Sequence, residues 1–156
     1  MTFAPWRFIA NWNCRMCGLC CRAYSVVLSV PEWLGMVKNY GFETTVSGLD
    51  KIFIRRHGDG SCTFLCEFGG AHFCGIQNDK PQACKIWPFK ILNKPKFGCE
   101  KEAAYAYAGG VFYVYADSTC TGLTFGRPRY DFANYTLREF VEVALGVRRN
   151  QLKTTG

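Results

Sequence analysis

The sequence predicts a small α+β fold with short strands, two or three helices and irregular loops rich in cysteine. Three observations lead to this prediction. The length of 156 residues suits one domain with a modest core. Segments of strand length alternate with two segments of helical periodicity. Ten cysteines and 16 glycines are concentrated in stretches that have neither period. We therefore expect a single domain over residues 1–156.

Both main helices are predicted from capping boxes, in which a hydroxyl residue precedes a glutamate by three positions. Ser29 begins the first box, and Gly41 is expected to end that helix. Thr136 begins the second box, and apolar residues then recur at helical spacing as far as a terminal glycine. This C-terminal helix, at about residues 136–146, is followed by a basic tail that we expect to be exposed.

Strands are predicted from apolar segments bounded by turn residues. Residues 51–56 are expected to form one strand, and residues 86–92, interrupted by a proline, an edge or bulged strand. Two aromatic-rich arms between residues 105 and 116 flank Gly109-Gly110, which predicts a hairpin with its turn at these glycines. Residues 58–75 are expected to be irregular and to be held by their sulfur atoms.

Four cysteines within eight residues form the most informative pattern. Cys14, Cys17, Cys20 and Cys21 follow the spacing C-x2-C-x2-C-C. Two intervening residues let one tight turn direct two thiolates at one point, and thiolates are the preferred ligands of zinc and of iron–sulfur clusters. The pattern therefore predicts metal binding, with Cys14 and Cys17 at a common site. The adjacent Cys20 and Cys21 are expected to face opposite ways, so that they serve different sites or one is a bystander.

The alternative interpretation of so many cysteines is a disulfide scaffold, which requires a secretory route. The first thirteen residues have neither an apolar run nor a small-residue cleavage site. We therefore expect a cytoplasmic protein with reduced thiols, and no membrane partner.

The charge pattern gives little further guidance. The formal net charge is +7, but counting eight thiolates around two centres of charge about +2 each lowers it to about +3. Basic pairs are scattered along the chain, so a nucleic-acid partner is left open on weak support. No Ser-His-Asp set, phosphate loop or nucleotide-binding glycine fingerprint is visible, and the sequence does not decide whether the chain is an enzyme.

The later cysteines extend the opening pattern into a combined motif. Cys62 begins C-T-F-L, residues 74–89 read C-G-I-Q-N-D-K-P-Q-A-C-K-I-W-P-F, and Cys120 begins C-T-G. Together with the opening, these motifs resemble the YkgJ-type cysteine-cluster proteins, also described as zinc- or iron-chelating domains. The resemblance covers residues 14 to about 126 and implies eight metal ligands. These are Cys14, Cys17, Cys20, Cys21, Cys62, Cys74, Cys84 and Cys120.

The chain departs from the family pattern at a few places. Where the family has Tyr, Arg, Arg and Tyr, this chain has Gln77, Lys80, Lys85 and Trp87. Cys66 and Cys99 are additional to the pattern, and their role is left open. Eight thiolates suffice for two four-ligand sites, but the sequence does not say how the cysteines divide between them.

Two hypotheses of function follow. The resemblance extends to the cluster domain of flagellin lysine N-methylases, which implies an iron–sulfur centre. We expect iron–sulfur, with [4Fe–4S] favoured, serving redox chemistry, metal handling or a modification reaction with a protein partner. The alternative is zinc held by four thiolates, which would make the chain a structural subunit of a larger protein or nucleoprotein assembly. In that case the basic tail and an exposed C-terminal helix would be its contact surfaces.

Overall fold

The computed structural model describes residues 3–156, which form eleven short strands and five α-helices. The strands are β1 (Phe3–Pro5), β2 (Ile9–Trp12), β3 (Val27–Leu28), β4 (Thr45–Ser47), β5 (Ile52–Ile54), β6 (Leu65–Phe68), β7 (Ala71–Cys74), β8 (Phe89–Leu92), β9 (Ala104–Tyr107), β10 (Gly110–Asp117) and β11 (Leu123–Phe125). The mixture of helices with mainly antiparallel pairs confirms the α+β prediction.

Two of the five helices are longer than two turns, and the other three are single turns. The helices are α1 (Leu19–Ala23), α2 (Val30–Tyr40), α3 (Gln82–Ile86), α4 (Glu100–Ala103) and α5 (Leu137–Ala144). Short 3-10 turns lie at Trp6–Phe8, Phe42–Thr44 and Gln77–Asp79, and a π-helical segment, Phe132–Thr136, leads directly into α5.

The chain divides into two compact units. The first unit contains Met1–Arg15 and Lys85–Thr154, and the second contains Met16–Cys84 and Thr155–Gly156. The chain therefore crosses between the units within the opening cysteine run. The expectation of one domain over residues 1–156 stays a prediction.

The first unit is built on a sheet centred on β10, which pairs antiparallel with β9, β8 and β1. Strand β8 pairs only with β10 among the described strands, so the edge-strand prediction for residues 86–92 is confirmed. Trp12, Phe89 and Phe140 meet edge to face with ring centroids 4.8–6.0 Å apart. These aromatic contacts form the centre of the first unit's core, against which α5 packs.

Helix α5 corrects two predictions. Thr136 is not an N-cap, because the π-helical segment continues into α5 and leaves Thr136 buried in helical conformation without a capping side chain. The helix is also not an exposed contact surface, since Leu137, Phe140 and Val141 have no solvent exposure. Gly146 lies just beyond the C-terminus at φ +73°, as predicted for a terminal glycine.

The hairpin of the first unit forms one residue earlier than predicted. Tyr107 pairs with Gly110, so the loop is Ala108-Gly109, and both loop residues have positive φ. This register places Tyr105 opposite Phe112, and both side chains pack against the first unit's core. Burial of this pair, rather than the Gly-Gly signal, sets the register, because a shift of one residue turns every side chain to the other face.

The second unit contains two small antiparallel sheets and helix α2. Strands β3, β5 and β4 form one sheet in that order, and β6 and β7 form a hairpin. Helix α2 begins at the predicted capping box: the Ser29 amide donates to Glu32 Oε2 at 2.8 Å, and the Glu32 amide donates to Ser29 Oγ at 3.4 Å. The predicted stop at Gly41 is also confirmed.

Two further expectations for the second unit are wrong. Residues 58–75 are not irregular throughout, because β6 and β7 pair around a loop of Gly69-Gly70, both at positive φ. The end of the basic tail is not exposed: Thr155 is buried, and the Gly156 carbonyl accepts a hydrogen bond from the Cys74 amide at 2.8 Å.

Candidate metal centre

The predicted ligands belong to both units of the fold. In the first unit, Cys14 follows β2, Cys120 precedes β11, and both side chains pack against that unit's core. The other six lie in the second unit: Cys17, Cys20, Cys21, Cys62, Cys74 and Cys84. No disulfide joins any of the ten cysteines, all of which the structure describes.

A glycine positions the two adjacent cysteines of the second unit. Gly18 precedes α1 at φ +73°, and a Cβ placed there would lie 2.8 Å from Cβ of His72. Only glycine satisfies both the left-handed backbone and this close approach. Helix α1 then carries Cys20 and Cys21, and the Cys21 carbonyl accepts a hydrogen bond from the Cys62 amide at 2.7 Å. The contact fixes Cys62 beside the helix.

The thiols of Cys20 and Cys21 lie together rather than apart. Their Sγ atoms are 4.0 Å from each other, so the prediction that they face opposite ways is wrong. The prediction assumed the alternation of an extended chain. On a helix, consecutive residues differ by only about 100° around the axis, so neighbouring thiols can reach the same side.

The remaining two thiols come from β7 and α3. Cys74 is buried at the end of β7 in the core of the second unit, with Cys62 packed against that core. The Cys84 amide donates to the Pro81 carbonyl at 2.9 Å, which closes a tight turn after this proline. At the start of α3, Glu32 Oε1 accepts a hydrogen bond from the Gln82 amide at 2.7 Å. The carboxylate that caps α2 therefore also holds the segment bearing Cys84.

Electrostatic interactions lower the pKa of the Cys20 thiol, whereas the pKa values of Cys21, Cys62, Cys74 and Cys84 are raised. The hydrogen bond from Cys21 lowers the pKa of Cys20 to about 7, and the positive charge of Lys80 adds to this effect against the cost of burial. The same hydrogen bond raises the pKa of Cys21, because Cys21 is the proton donor to the Cys20 thiolate. At neutral pH Cys20 is therefore partly ionised, whereas Cys21 keeps its proton.

Burial has the opposite effect on the other thiols. It raises the pKa of Cys62 and of Cys74, and it raises the pKa of Cys84 to about 12. The charge of a neighbouring thiolate adds to each shift, with Cys20 acting on all three. These mutual effects define a group that we call the thiol cluster: Cys20, Cys21, Cys62, Cys74 and Cys84.

Two residues beside the thiol cluster were not assigned to the site from the sequence. Cys66, on β6, interacts electrostatically with Cys74 and raises its pKa. Lys80 is buried, and its Nζ donates to both the carbonyl and the hydroxyl of Thr155. Its charge lowers the pKa of Cys20 and opposes the increase at Cys74 and Cys84. The one feature of the sequence that could have indicated a role for Lys80 is the arginine that the family has at this position.

The donor chemistry of the thiol cluster fits a thiophilic metal. Within residues 3–156, no three His, Cys, Asp or Glu side chains lie together in the arrangement that holds a metal ion. The donors themselves are sulfur atoms, of which Cys62 and Cys74 lie among apolar side chains, and the buried Lys80 offsets part of the charge of the thiolates. Such soft ligands select zinc, copper(I) or iron–sulfur clusters over hard cations.

The α+β fold, the thiol cluster and the buried Lys80 that interacts with it are together typical of cysteine-cluster proteins that chelate metal. The family model entitled "CxxCxxCC: Putative zinc- or iron-chelating domain" matches residues 13–121. The match covers well over half of the chain, and the chain belongs to this family. The resemblance inferred from the cysteine motifs is thereby confirmed.

The other comparisons add no relatives. Neither a curated protein nor a solved structure shows significant similarity to the chain. Among residues 3–156, none of the helices has the length and apolar character that crossing a membrane requires.

Proposed function

We propose that the chain holds iron as an iron–sulfur cluster, in the favoured form [4Fe–4S], through cysteines of the predicted set that include the thiol cluster. The supporting observation is the number of thiols in the second unit that shift one another's pKa values. The thiol cluster has five, and Cys66 interacts with it as a sixth. A [4Fe–4S] cluster takes four cysteine ligands, so the group offers enough sulfur to hold one.

The second unit's residues have distinct parts in binding. Cys20, with a pKa of about 7, is the thiolate available first at neutral pH. Cys62, Cys74 and Cys84 must lose protons as they bind, because burial raises their pKa values. Lys80 offsets part of the accumulated negative charge. An iron–sulfur cluster bound here would supply one-electron redox chemistry.

Cys14, Cys17 and Cys120 stay predicted ligands on the family motif. The cellular role that we propose is redox chemistry, metal handling or a modification reaction carried out with a protein partner. The proposal places the protein in the cytoplasm, where thiols stay reduced.

A structural zinc site is the second candidate, and one distance favours it. The Sγ atoms of Cys20 and Cys21 are 4.0 Å apart. Zinc–sulfur bonds of about 2.3 Å in a tetrahedron place neighbouring sulfurs roughly 3.8 Å apart, so this pair already has nearly the required separation. In that case the metal would contribute to folding only, and the chain would act as a subunit of a larger assembly.

Metal analysis of anaerobically purified protein separates the two candidates. We expect a brown protein with broad thiolate-to-iron absorption, containing iron and acid-labile sulfide in equal amounts of roughly four each per cluster. A colourless protein with stoichiometric zinc and no labile sulfide would contradict the iron–sulfur proposal and support the structural one.

A further inference from the structure

A cavity of about 290 Å³ lies in the first unit, where the β9–β10 hairpin meets the π-helical segment. We call it the tyrosine pocket. It is lined by Tyr105, Ala106, Tyr107, Ala108, Asn134 and Arg138. None of these residues belongs to the predicted metal ligands, and the volume is just below the range of small-molecule pockets, about 300–1,000 Å³. The pocket therefore suits one small planar group.

Arg138 provides an anchored positive charge at the pocket. Its Nε donates to Glu142 Oε1 at 2.9 Å, and its guanidinium lies 5.8 Å from the centre of the Tyr107 ring. Glu142 also accepts from Arg148 Nε at 2.7 Å and from the Tyr107 hydroxyl at 3.2 Å, so its charge is shared between two guanidiniums. Arg138 is more than half exposed, and its hydrogen bond to Glu142 uses Nε rather than the terminal amino groups. They can bind a phosphate in the planar, two-pronged manner of arginine.

Asn134 provides a donor and an acceptor at fixed positions. Its Nδ2 donates to the Tyr130 carbonyl at 2.9 Å, which fixes the orientation of the side-chain amide. Its Oδ1 and its second N–H can contact a ligand. Asparagine uses an amide oxygen and an amide N–H to bind the N6 and N7 edge of adenine. Asn134 lies within the π-helical segment, and such segments are frequent at functional sites.

Two exposed aromatic rings lie close to Asn134 in the sequence. Tyr130 and Tyr135 are 74% and 66% exposed, and their ring centroids are 6.2 Å apart. Tyr130, Asn134 and Arg138 follow one another at four-residue spacing, so they lie along one face of the helical segment. Aromatic rings interleaved with arginine are typical of surfaces on which unpaired bases stack.

We propose that the tyrosine pocket binds an unpaired adenine nucleotide. Asn134 recognises the base edge, the tyrosines provide the stacking surface, and Arg138 binds the phosphate. The ligand is either a free nucleotide or an adenine of a single-stranded nucleic acid, since both present the same groups. This binding needs no metal, so it can fail or succeed independently of the metal site.

The test is fluorescence anisotropy with the full-length protein as purified, using a short labelled oligo(A) RNA and AMP as competitor. We expect oligo(A) to bind at least roughly five-fold more tightly than oligo(U), because the bidentate asparagine contact is specific for adenine. Asn134→Leu should remove this preference. Arg138→Gln should weaken binding of both RNAs and reduce the slope of affinity against salt by about one charge. Displacement by AMP would identify a free nucleotide as the ligand, and binding of the RNA without such displacement would identify single-stranded nucleic acid.

Arg149→Gln is the matched control, because Arg149 is exposed, outside the pocket and carries the same charge. It should leave the preference for adenine intact. Circular dichroism and melting temperature verify that each variant is folded, and Arg138→Gln keeps the test valid if Asn134→Leu does not fold. The proposal is overturned if neither AMP nor oligo(A) binds, if the two RNAs bind equally, if polyglutamate displaces oligo(A), or if folded Asn134→Leu protein retains the preference.

Discussion

At the scale of single residues, the structure makes one thiol of the thiol cluster different from the others. Cys20 receives a hydrogen bond from Cys21 and is near the buried charge of Lys80, so it ionises near neutral pH. Cys62, Cys74 and Cys84 have no such donor of comparable effect, and burial keeps them protonated. The difference is measurable in the metal-free protein.

Alkylation rates should therefore distinguish Cys20. Because its pKa is lowered, its thiolate predominates above about pH 7 and disappears below that pH. In metal-free protein treated with iodoacetamide and analysed by mass spectrometry, the rate at Cys20 should reach half its maximum near pH 7. Cys84, whose pKa is raised to about 12, should stay unreactive through pH 9.

The control is Cys21→Ala, which removes the largest cause of the lowered pKa and should shift the Cys20 midpoint upward. In denaturant, Cys20 should return to the ordinary value of 9.0. A Cys20 midpoint that is the same in the native protein and in denaturant would show that the hydrogen bond has no effect.

Cysteine variants test which thiols hold the metal. Cys84→Ser replaces a buried thiol of the thiol cluster by a poor metal ligand, so metal bound per chain should fall below about half of the wild-type value. Cys99→Ser is the matched control, because Cys99 is exposed, lies in the first unit and belongs to neither the motif nor the thiol cluster. Equal metal content in the two variants, measured by elemental analysis, would exclude Cys84 as a ligand.

The sequence predicted the residue types of the site but not their environment. The spacing C-x2-C-x2-C-C and the later cysteines indicated thiol ligation because thiols at such spacing have few other uses. The side-by-side thiols of Cys20 and Cys21 depend on α1, which the sequence did not predict. The effect of the Lys80 charge on the thiols depends on where Lys80 is buried. There its Nζ donates to Thr155, which is 75 positions away in the sequence. Neither feature leaves a local pattern.

At the scale of elements, capping and turn motifs predicted the correct boundary only where the burial of neighbouring side chains favoured the same boundary. The Ser29 capping box begins α2, because no preceding helical turn competes for its amides. The equivalent box at Thr136 fails, since Phe132 is fully buried and draws the preceding segment into a continuous helix. The Gly109-Gly110 turn moved by one residue for the same reason, so that Tyr105 and Phe112 could face the core.

The aromatic contacts of α5 predict its contribution to stability. Phe140 has no solvent exposure and contacts Trp12 and Phe89 at centroid distances of 5.3 and 4.8 Å. Phe140→Ala should lower the free energy of unfolding by about 3–5 kcal/mol, because it removes these contacts and leaves a cavity. Urea unfolding followed by circular dichroism measures the change.

Val147→Ala is the control for this helix, because Val147 is largely exposed and its truncation should change stability by less than about 0.5 kcal/mol. If Phe140→Ala unfolds at the same urea concentration as Val147→Ala, α5 is not part of the first unit's core.

At the scale of the whole molecule, neither unit is formed by one continuous segment of the chain. The first unit takes both an N-terminal and a C-terminal segment, and the second unit takes the middle of the chain and its last two residues. No change of composition marks these crossings, so they could not be predicted from the sequence. The family match covers residues of both units, which indicates that the metal-chelating motif extends across this division of the chain.

The central claim is that cysteine thiolates hold the metal, and X-ray absorption spectroscopy of the metal-loaded protein tests it most directly. We predict a first shell of sulfur alone at about 2.3 Å, for zinc as for iron–sulfur. With iron, a second shell of iron atoms would also identify a cluster. A first shell dominated by oxygen or nitrogen at about 2.0–2.2 Å would contradict the claim, because the thiols would then not be the principal ligands.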